Sequence, residues 1–170
     1  ELDNIQKKEF NDALKTFYLE KTEQRLKKLY ENSDISDFPG SINGLVVPSL
    51  ASIWGKINWQ DLFNGTPVLY HGDLQPENIL VKNKGFILID WRHDFGGLLD
   101  YGDIYYDFAK LYHALIVSNE VIRKDGFEII NKNGVVYYDF YIKNNLLEFK
   151  GIFDDFLEKN NYDLGKVKIL

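Results

Sequence analysis

Apolar positions recur at helical spacing in three parts of the chain. Residues 11–30 carry them three and four positions apart, which predicts an amphipathic helix. The same spacing predicts helices over residues 103–117 and from residue 146 to about residue 160. Residues 32–44 are rich in Ser, Asp, Asn and Gly and predict a loop. Residues 45–63 have no clear period, and we interpret them as a loop and a short helix.

Short apolar or β-branched runs predict strands in the middle of the chain. These runs cover residues 68–70, 79–81 and 86–89. The turn-rich sequence KNKG joins the last two runs and predicts a tight hairpin. A second hairpin is predicted over residues 127–130 and 135–142, around the sequence NKNG.

The composition is that of a single globular domain spanning residues 1–170. The chain is 45% hydrophobic and 15% aromatic, which is enough material for one sizeable core. Its formal charge is -6 and its basic residues form no run, so we predict that it does not bind nucleic acid. No apolar run approaches the roughly 20 residues of a membrane span, and no signal peptide opens the chain, so we predict a cytoplasmic protein without a membrane partner.

Two absences in the composition limit the chemistry further. The chain contains no Cys, which excludes disulfides and thiolate metal sites. It also contains no Met and begins at Glu1, so we predict that it is a fragment of a longer chain.

A polar turn over residues 70–80, YHGDLQPENIL, interrupts the strands and concentrates candidate chemistry. Asp73 and Asn78 lie five residues apart in it, and Asp90 ends the strand that pairs with the one after Asn78. The hairpin therefore returns Asp90 to the neighbourhood of Asn78. Two of these three oxygen-bearing side chains can hold a hard cation while the third meets a substrate hydroxyl. This arrangement suits phosphoryl transfer.

The sequence HGDLQPENIL followed by FILIDW resembles the catalytic core of the aminoglycoside phosphotransferase and choline kinase superfamily, which is related to the protein kinases. The resemblance implies that Asp73 is the catalytic base, which orients the attacking hydroxyl and accepts its proton. It implies that Asn78 and Asp90 hold Mg²⁺ on the phosphates of ATP, the co-substrate. It also implies that His71 braces the loop.

The resemblance extends to the next helix. The family places an Asp there in a Tyr-Asp-Leu-Ala-like stretch, which the sequence YDFA around Asp107 matches. This implies that Asp107 hydrogen-bonds the backbone of the catalytic loop. Asp103, four residues earlier on the same face, either supports the loop or faces the substrate. Arg92 stands where many family members carry an acidic residue, which leaves the ligand of a second metal open and favours an anionic or sugar-like substrate over a polycation.

Other candidates in the same region have simpler interpretations. Residues 94–96 spell the DFG tripeptide of protein kinases, but only Asp90 directly ends the apolar strand, and we prefer it as the metal ligand. His93 and His113 have no partner pattern. The Asp and Tyr residues between positions 100 and 107 form either an acidic, aromatic cradle for an amine or core aromatics with a loop anchor, and we favour the second interpretation.

The family resemblance implies an α+β fold, the mainly helical C-terminal lobe of a protein-kinase-like phosphotransferase with short β-hairpins around the catalytic loop. Kinases of this lineage bind ATP between two lobes, and the N-terminal lobe supplies a lysine and a phosphate-covering loop. Neither feature, nor a run of several strands, is visible before His71. We therefore predict that the ATP-binding lobe is absent here, that the missing N-terminal lobe of the same protein is this chain's partner, and that the chain alone is inactive.

The predicted function is ATP- and Mg²⁺-dependent transfer of the γ-phosphoryl group to a hydroxyl of a small molecule. A sugar is the preferred acceptor, then choline or another amino alcohol, then an aminoglycoside. The alternative is a non-catalytic kinase-like module that binds a nucleotide or a protein, but such a module has no chemical need for Asp73, Asn78 and Asp90 together. HGD in place of HRD, and the lack of an Ala-Pro-Glu segment, disfavour a protein kinase.

Overall fold

The computed structural model describes residues 2–33, 37, 40–132 and 135–170, which contain both helices and strands. The helices are α1 (Asn4–Leu14), α2 (Lys21–Glu31), α3 (Leu50–Trp54), α4 (Trp59–Leu62), α5 (Ile104–Ile116), α6 (Asn119–Arg123), α7 (Asn144–Lys159) and α8 (Leu164–Ile169). The strands are β1 (Gly40–Ile42), β2 (Leu45–Val47), β3 (Pro67–Val68), β4 (Ile79–Lys82), β5 (Gly85–Leu88), β6 (Gly102–Asp103), β7 (Phe127–Lys132) and β8 (Val135–Phe140). The α+β class is confirmed. Within the described ranges, no helix has both the length and the apolar character needed to cross a membrane.

The strands form three small sheets. The first has the order β2-β1-β8-β7, with β1 antiparallel to β2 and parallel to β8. The second is the antiparallel hairpin β4–β5. The third pairs β3 with β6, so that Val68 lies opposite Gly102. This pairing brings the beginning of the polar turn next to the beginning of α5.

Both predicted hairpins are present. In the first, Lys82 pairs with Gly85 across a two-residue turn, and Asn83 has the left-handed φ of 54° that such a turn requires. The second is β7–β8, although residues 133–134 of its turn lie outside the described part. The helices predicted over residues 103–117 and from residue 146 are confirmed as α5 and α7.

The region before His71 contains more strand than the sequence predicted. Strand β1 lies inside the predicted loop, and β2 with the two short helices α3 and α4 occupies residues 45–63. The interpretation of residues 32–44 as a loop and of residues 45–63 as a loop and one short helix was therefore wrong where these strands and helices lie. Ser41 pairs with Val135, so a strand distant in sequence supports β1, and local patterns carry no signal of such pairing. Residues 34–36 and 38–39 of the predicted loop lie outside the described part.

The first helix is continuous from Asn4 to Glu31 but changes type in the middle. Asp3 caps its beginning by accepting hydrogen bonds from the N–H groups of Ile5 and Gln6. A π-helical segment, Lys15–Glu20, joins α1 to α2. Phe17 and Tyr18 are neighbours within this segment, and both are buried.

Phe95 is the centre of the first hydrophobic cluster. Its side chain is fully buried. The ring of Phe17 stacks on it with centroids 4.5 Å apart, and the rings of Tyr18 and Tyr70 meet it edge-on at 5.8 and 5.5 Å. Gly96 follows with φ of 58°, and a Cβ there would lie 2.8 Å from the carbonyl oxygen of Ala13. The DFG-like tripeptide therefore anchors the chain against the first helix.

A second cluster lies on the other side of α5. Its buried members come from α5, α7 and α8, and they are Phe108, Leu111, Tyr112, Leu115, Phe153, Leu157 and Val167. Because α5 borders both clusters, its position is fixed from two sides. A helix fixed in this way is a rigid support for side chains that project from it.

Asp103 is a buried carboxylate at the junction of three elements. It caps α5 by accepting a hydrogen bond from Tyr105 N at 3.3 Å. It also accepts hydrogen bonds from Tyr18 Oη and from Thr66 N, each at 2.8 Å. Burial raises the pKa of Asp103 above its usual range, and these hydrogen bonds oppose the rise. Asp103 thus ties the π-helical segment to β3 and α5.

We expect Asp103→Ala to lower the free energy of unfolding by about 2–4 kcal/mol, because it leaves buried donors of Tyr18 and Thr66 without an acceptor. For a domain of this size the melting temperature would fall by roughly 2–4 °C per kcal/mol. Thermal and urea unfolding measure the change, with the exposed Asp100→Ala as the control. Equal stability of the two variants would contradict the role assigned to Asp103.

Candidate active site

The polar turn runs from the end of β3 through a 3₁₀ turn, Pro76–Asn78, into β4. His71 and Asn78 are buried, and the side chain of Asp73 is 23% exposed. The turn therefore presents Asp73 to solvent between two buried polar residues.

Asp107 holds the backbone of this turn. Its Oδ2 accepts a hydrogen bond from His71 N and its Oδ1 accepts one from Gly72 N, both at 2.7 Å. Burial raises the pKa of Asp107, and these two hydrogen bonds oppose the rise. These are the contacts that the family resemblance implied for Asp107. Because α5 is packed on two sides, it gives the turn a fixed reference point.

Gly72 and Arg92 fit together closely. Gly72 has φ of 80°, and a Cβ there would clash with Arg92 Cβ and lie 2.7 Å from the ring of Tyr70. Arg92 Nε donates a hydrogen bond to the Gly72 carbonyl at 3.2 Å, and Arg92 N donates one to the His71 carbonyl at 2.9 Å. A glycine between His71 and Asp73 therefore leaves room for Arg92 to brace the turn.

Three side-chain donors converge on the carboxylate of Asp73. Lys110 Nζ lies 2.7 Å from Oδ1. Gln75 Nε2 and Asn78 Nδ2 each donate to Oδ2 at 3.2 Å. Asn78 Nδ2 also donates to the Asp73 carbonyl at 2.9 Å, which fixes the five-residue step between the two. The carboxylate is therefore held in one orientation by neighbours on both sides.

Asp90 is placed by contacts of the residues on either side of it. Ile89 N donates a hydrogen bond to the Asn78 carbonyl at 3.0 Å. The ring of Trp91 lies 4.8 Å from that of His71, centroid to centroid. Asp90 itself is exposed and has a left-handed φ of 60°. A residue with a side chain rarely adopts this conformation, and such positions are concentrated at functional sites.

Asn78 and Asp90 offer oxygen atoms that suit a hard cation. The amide nitrogen of Asn78 is used to hold Asp73, so its amide oxygen is the atom left for a ligand. The carboxylate of Asp90 is solvent-accessible. In the part of the chain that the structure describes, no three His, Cys, Asp or Glu side chains come together as a metal site. This donor set fits Mg²⁺, which usually takes one or two protein oxygens and completes its shell with water and substrate phosphates.

His71 acts within the turn. Its Nδ1 accepts a hydrogen bond from Asp73 N at 3.2 Å, which places the ring proton of the neutral imidazole on Nε2. Nε2 is buried and has no hydrogen-bond partner among the described residues. These contacts fit the bracing role that the resemblance implied.

The other acidic candidates are engaged elsewhere. Asp103 forms none of its side-chain hydrogen bonds with residues 71–78. It is fully buried, so in this structure it supports the fold and is not placed to contact a substrate. Asp94 accepts a hydrogen bond from Gly97 N at 3.0 Å and closes its own turn. The carboxylates of Asp103 and Asp107 both accept hydrogen bonds from groups of the fold itself.

Lys110 and Gln75 were not identified as candidates from the sequence. Lys110 lies three residues after Asp107 on α5, and residues at this spacing share a helix face. Because Asp107 contacts His71 and Gly72, the next turn of that face meets Asp73. The three-residue spacing from Asp107 is the sequence signal that could have predicted a place for Lys110 beside the polar turn.

A comparison with protein-family models assigns the chain to a known family. The model of the phosphotransferase enzyme family matches residues 12–126, which is more than half of the chain. This match includes the first helix from residue 12 onward, the polar turn, both hairpin strands beside it and α5. No curated protein and no solved structure matches significantly.

We expect Asp107→Asn to loosen the turn, because an amide offers one acceptor oxygen to two N–H donors. Amide hydrogen exchange measured by NMR would then become faster at His71 or Gly72, and the free energy of unfolding would fall by about 1–3 kcal/mol. The exposed Asp155→Asn on α7 is the matched control. Unchanged exchange at both amides would contradict the anchoring role of Asp107.

Proposed function

The chain belongs to the phosphotransferase enzyme family, and we propose that it carries the catalytic loop of an enzyme that transfers the γ-phosphoryl group of ATP to a hydroxyl of a small molecule. The observation that carries the proposal is the contact between Asp73 and Asn78 at the edge of the hairpin that leads to Asp90. A sugar is the preferred acceptor class, followed by an amino alcohol. The lobe is the mainly helical, C-terminal one of a protein-kinase-like enzyme.

In the proposed reaction, Asp73 orients the acceptor hydroxyl and accepts its proton. A bond forms between the acceptor oxygen and the γ-phosphorus, and the bond from that phosphorus to the β–γ bridging oxygen breaks. The products are a phosphomonoester and ADP. Asp73 is accessible to an acceptor, and Lys110, Gln75 and Asn78 support its orientation. Positioning and charge neutralisation supply most of the catalysis in such transfers.

Asn78 and Asp90 would hold Mg²⁺ in this proposal. The ion supplies neutralisation of the phosphate charge when it is bound. The free amide oxygen of Asn78 and the exposed carboxylate of Asp90 support this assignment. Arg92 has a supporting role, because its backbone and side-chain donors brace His71 and Gly72.

The hairpin that leads to Asp90 exposes apolar side chains. Those more than 40% exposed there and on the neighbouring segments are Leu69, Leu80, Val81, Phe86, Ile87 and Trp91. An exposed apolar surface of this kind commonly marks a binding site or an interface. We propose that the ATP-binding lobe implied by the family resemblance covers this surface, with the nucleotide between the two lobes.

The first test is phosphorus NMR of the full-length protein with ATP, Mg²⁺ and pools of sugars, amino alcohols and aminoglycosides. We expect a new phosphomonoester signal with one pool. Asp73→Asn should lower its rate of formation about 10²- to 10⁴-fold, because it removes the proton acceptor. Asp155→Asn is the control. Nucleotide binding without any phosphomonoester signal would instead favour a kinase-like binding module.

The 170-residue chain alone should show no appreciable phosphoryl transfer under the same conditions, because it lacks a recognisable nucleotide-covering loop and lysine. Coupled measurement of ADP release gives the rate, and the full-length protein is the positive control. Robust turnover by the 170-residue chain that Asp73→Asn abolishes would show that residues 2–70 supply the nucleotide site.

A further inference from the structure

A cavity of about 640 Å³ lies between α2, α5 and α8. Its lining includes Arg25 of α2, Lys168 of α8, and Tyr106, Lys110 and His113 of α5. This volume lies within the usual range for small-molecule sites. The cavity can therefore receive a molecule of the size of a sugar.

Lys110 connects this cavity to the catalytic loop. It lines the cavity, and its Nζ lies 2.7 Å from Asp73 Oδ1. Lys110 is therefore the residue that joins the cavity lining to the proposed base. A second cavity of about 150 Å³ shares Arg25 and Tyr106 with the first and adds Lys21 to the lining.

The charged residues that line these two cavities are positive, whereas the chain as a whole is negative. The chain has 26 acidic and 20 basic residues and a net charge of -6. Among the described residues, however, no Asp or Glu lines either cavity, whereas Lys21, Arg25, Lys110 and Lys168 do. A cavity lined by one sign of charge attracts a ligand of the other sign.

The positive charges of Lys21, Arg25 and Arg92 repel one another. Burial lowers the pKa of Lys21, and the nearby charges of Arg92 and Arg25 lower it further, against a smaller opposing effect of Asp94. Arg92 also lies over the rings of Phe17 and Tyr106, with its Cζ 5.8 Å from each centroid. Tyr106 lines both cavities, so Arg92 adds to the positive potential beside them. An anion bound there would relieve this repulsion.

We propose that the acceptor carries an anionic group, a carboxylate or a phosphate ester, and binds in this cavity against Arg25, Lys110 and Lys168. The inference rests on the proposed function and narrows its acceptor from sugars in general to acidic sugars. In this proposal the acceptor hydroxyl extends past Lys110 to Asp73, which contacts Lys110 but lies outside the cavity lining. Amines such as choline and aminoglycosides are disfavoured, because Arg25 and Lys168 line the cavity and, among the described residues, no Asp or Glu does.

The test offers the full-length protein and ATP four acceptor sets: neutral sugars, uronic and aldonic acids, sugar phosphates, and amino alcohols. We expect the acidic sugars or the sugar phosphates to have the highest kcat/KM, and the preferred set identifies the anionic group. Arg25→Gln and Lys168→Gln should each raise KM for that acceptor about ten-fold or more with a smaller change in kcat, since each removes a charge-assisted contact. Lys28→Gln, exposed on α2 and outside the cavity lining, is the matched control and should leave both constants unchanged.

The outcomes separate this inference from the proposed function. Asp73-dependent phosphorylation of a neutral sugar or an amino alcohol, with KM insensitive to Arg25→Gln and Lys168→Gln, would overturn the anionic acceptor and leave the phosphotransferase intact. Failure to phosphorylate any set would count against the phosphotransferase itself. Calorimetric titration of the preferred acidic sugar, without ATP, gives a second measurement, in which Arg25→Gln should weaken binding and Lys28→Gln should not.

Discussion

The N–H groups of His71 and Gly72 donate to one buried carboxylate, that of Asp107, and the geometry of the polar turn depends on this pair of hydrogen bonds. Both bonds are 2.7 Å long, as is common for bonds to a charged acceptor. They fix the backbone immediately before Asp73. The side-chain contacts of Asp73 with Asn78 and Lys110 start from the backbone that these two hydrogen bonds hold.

The acidic residues at the beginning of α5 and the cations around this helix have separate roles. Asp103 and Asp107 are buried and bind donors of the fold itself, so burial is compensated by hydrogen bonds. The cations Arg25 and Lys168 are exposed beside a cavity instead. Helix α5 thus carries Asp107, which anchors the polar turn, and Lys110, which contacts Asp73 and also lines the cationic cavity.

Local signals explain which parts were predictable from the sequence. The β4–β5 hairpin follows from apolar runs separated by an Asn-containing turn, and α5 from its apolar period. Strand β1 was missed because its three residues are not apolar in pattern and its neighbour β8 is far away in sequence. The contact between Lys110 and Asp73 was missed for a different reason. An ion pair between a helix and a loop follows from tertiary placement, which no single spacing determines.

The π-helical segment has a consequence for the phase of the first helix. A π turn holds one more residue than an α turn, and each residue of an α-helix advances the direction of the side chains by about 100°. The segment Lys15–Glu20 therefore rotates α2 relative to α1 by an amount that an uninterrupted α-helix could not provide. Phe10 and Leu14 point into the core from α1, while Arg25 of α2 reaches the cavity beside α5. Deleting a single residue there would change the direction of every side chain of α2 by about 100° and turn the guanidinium of Arg25 away from the cavity.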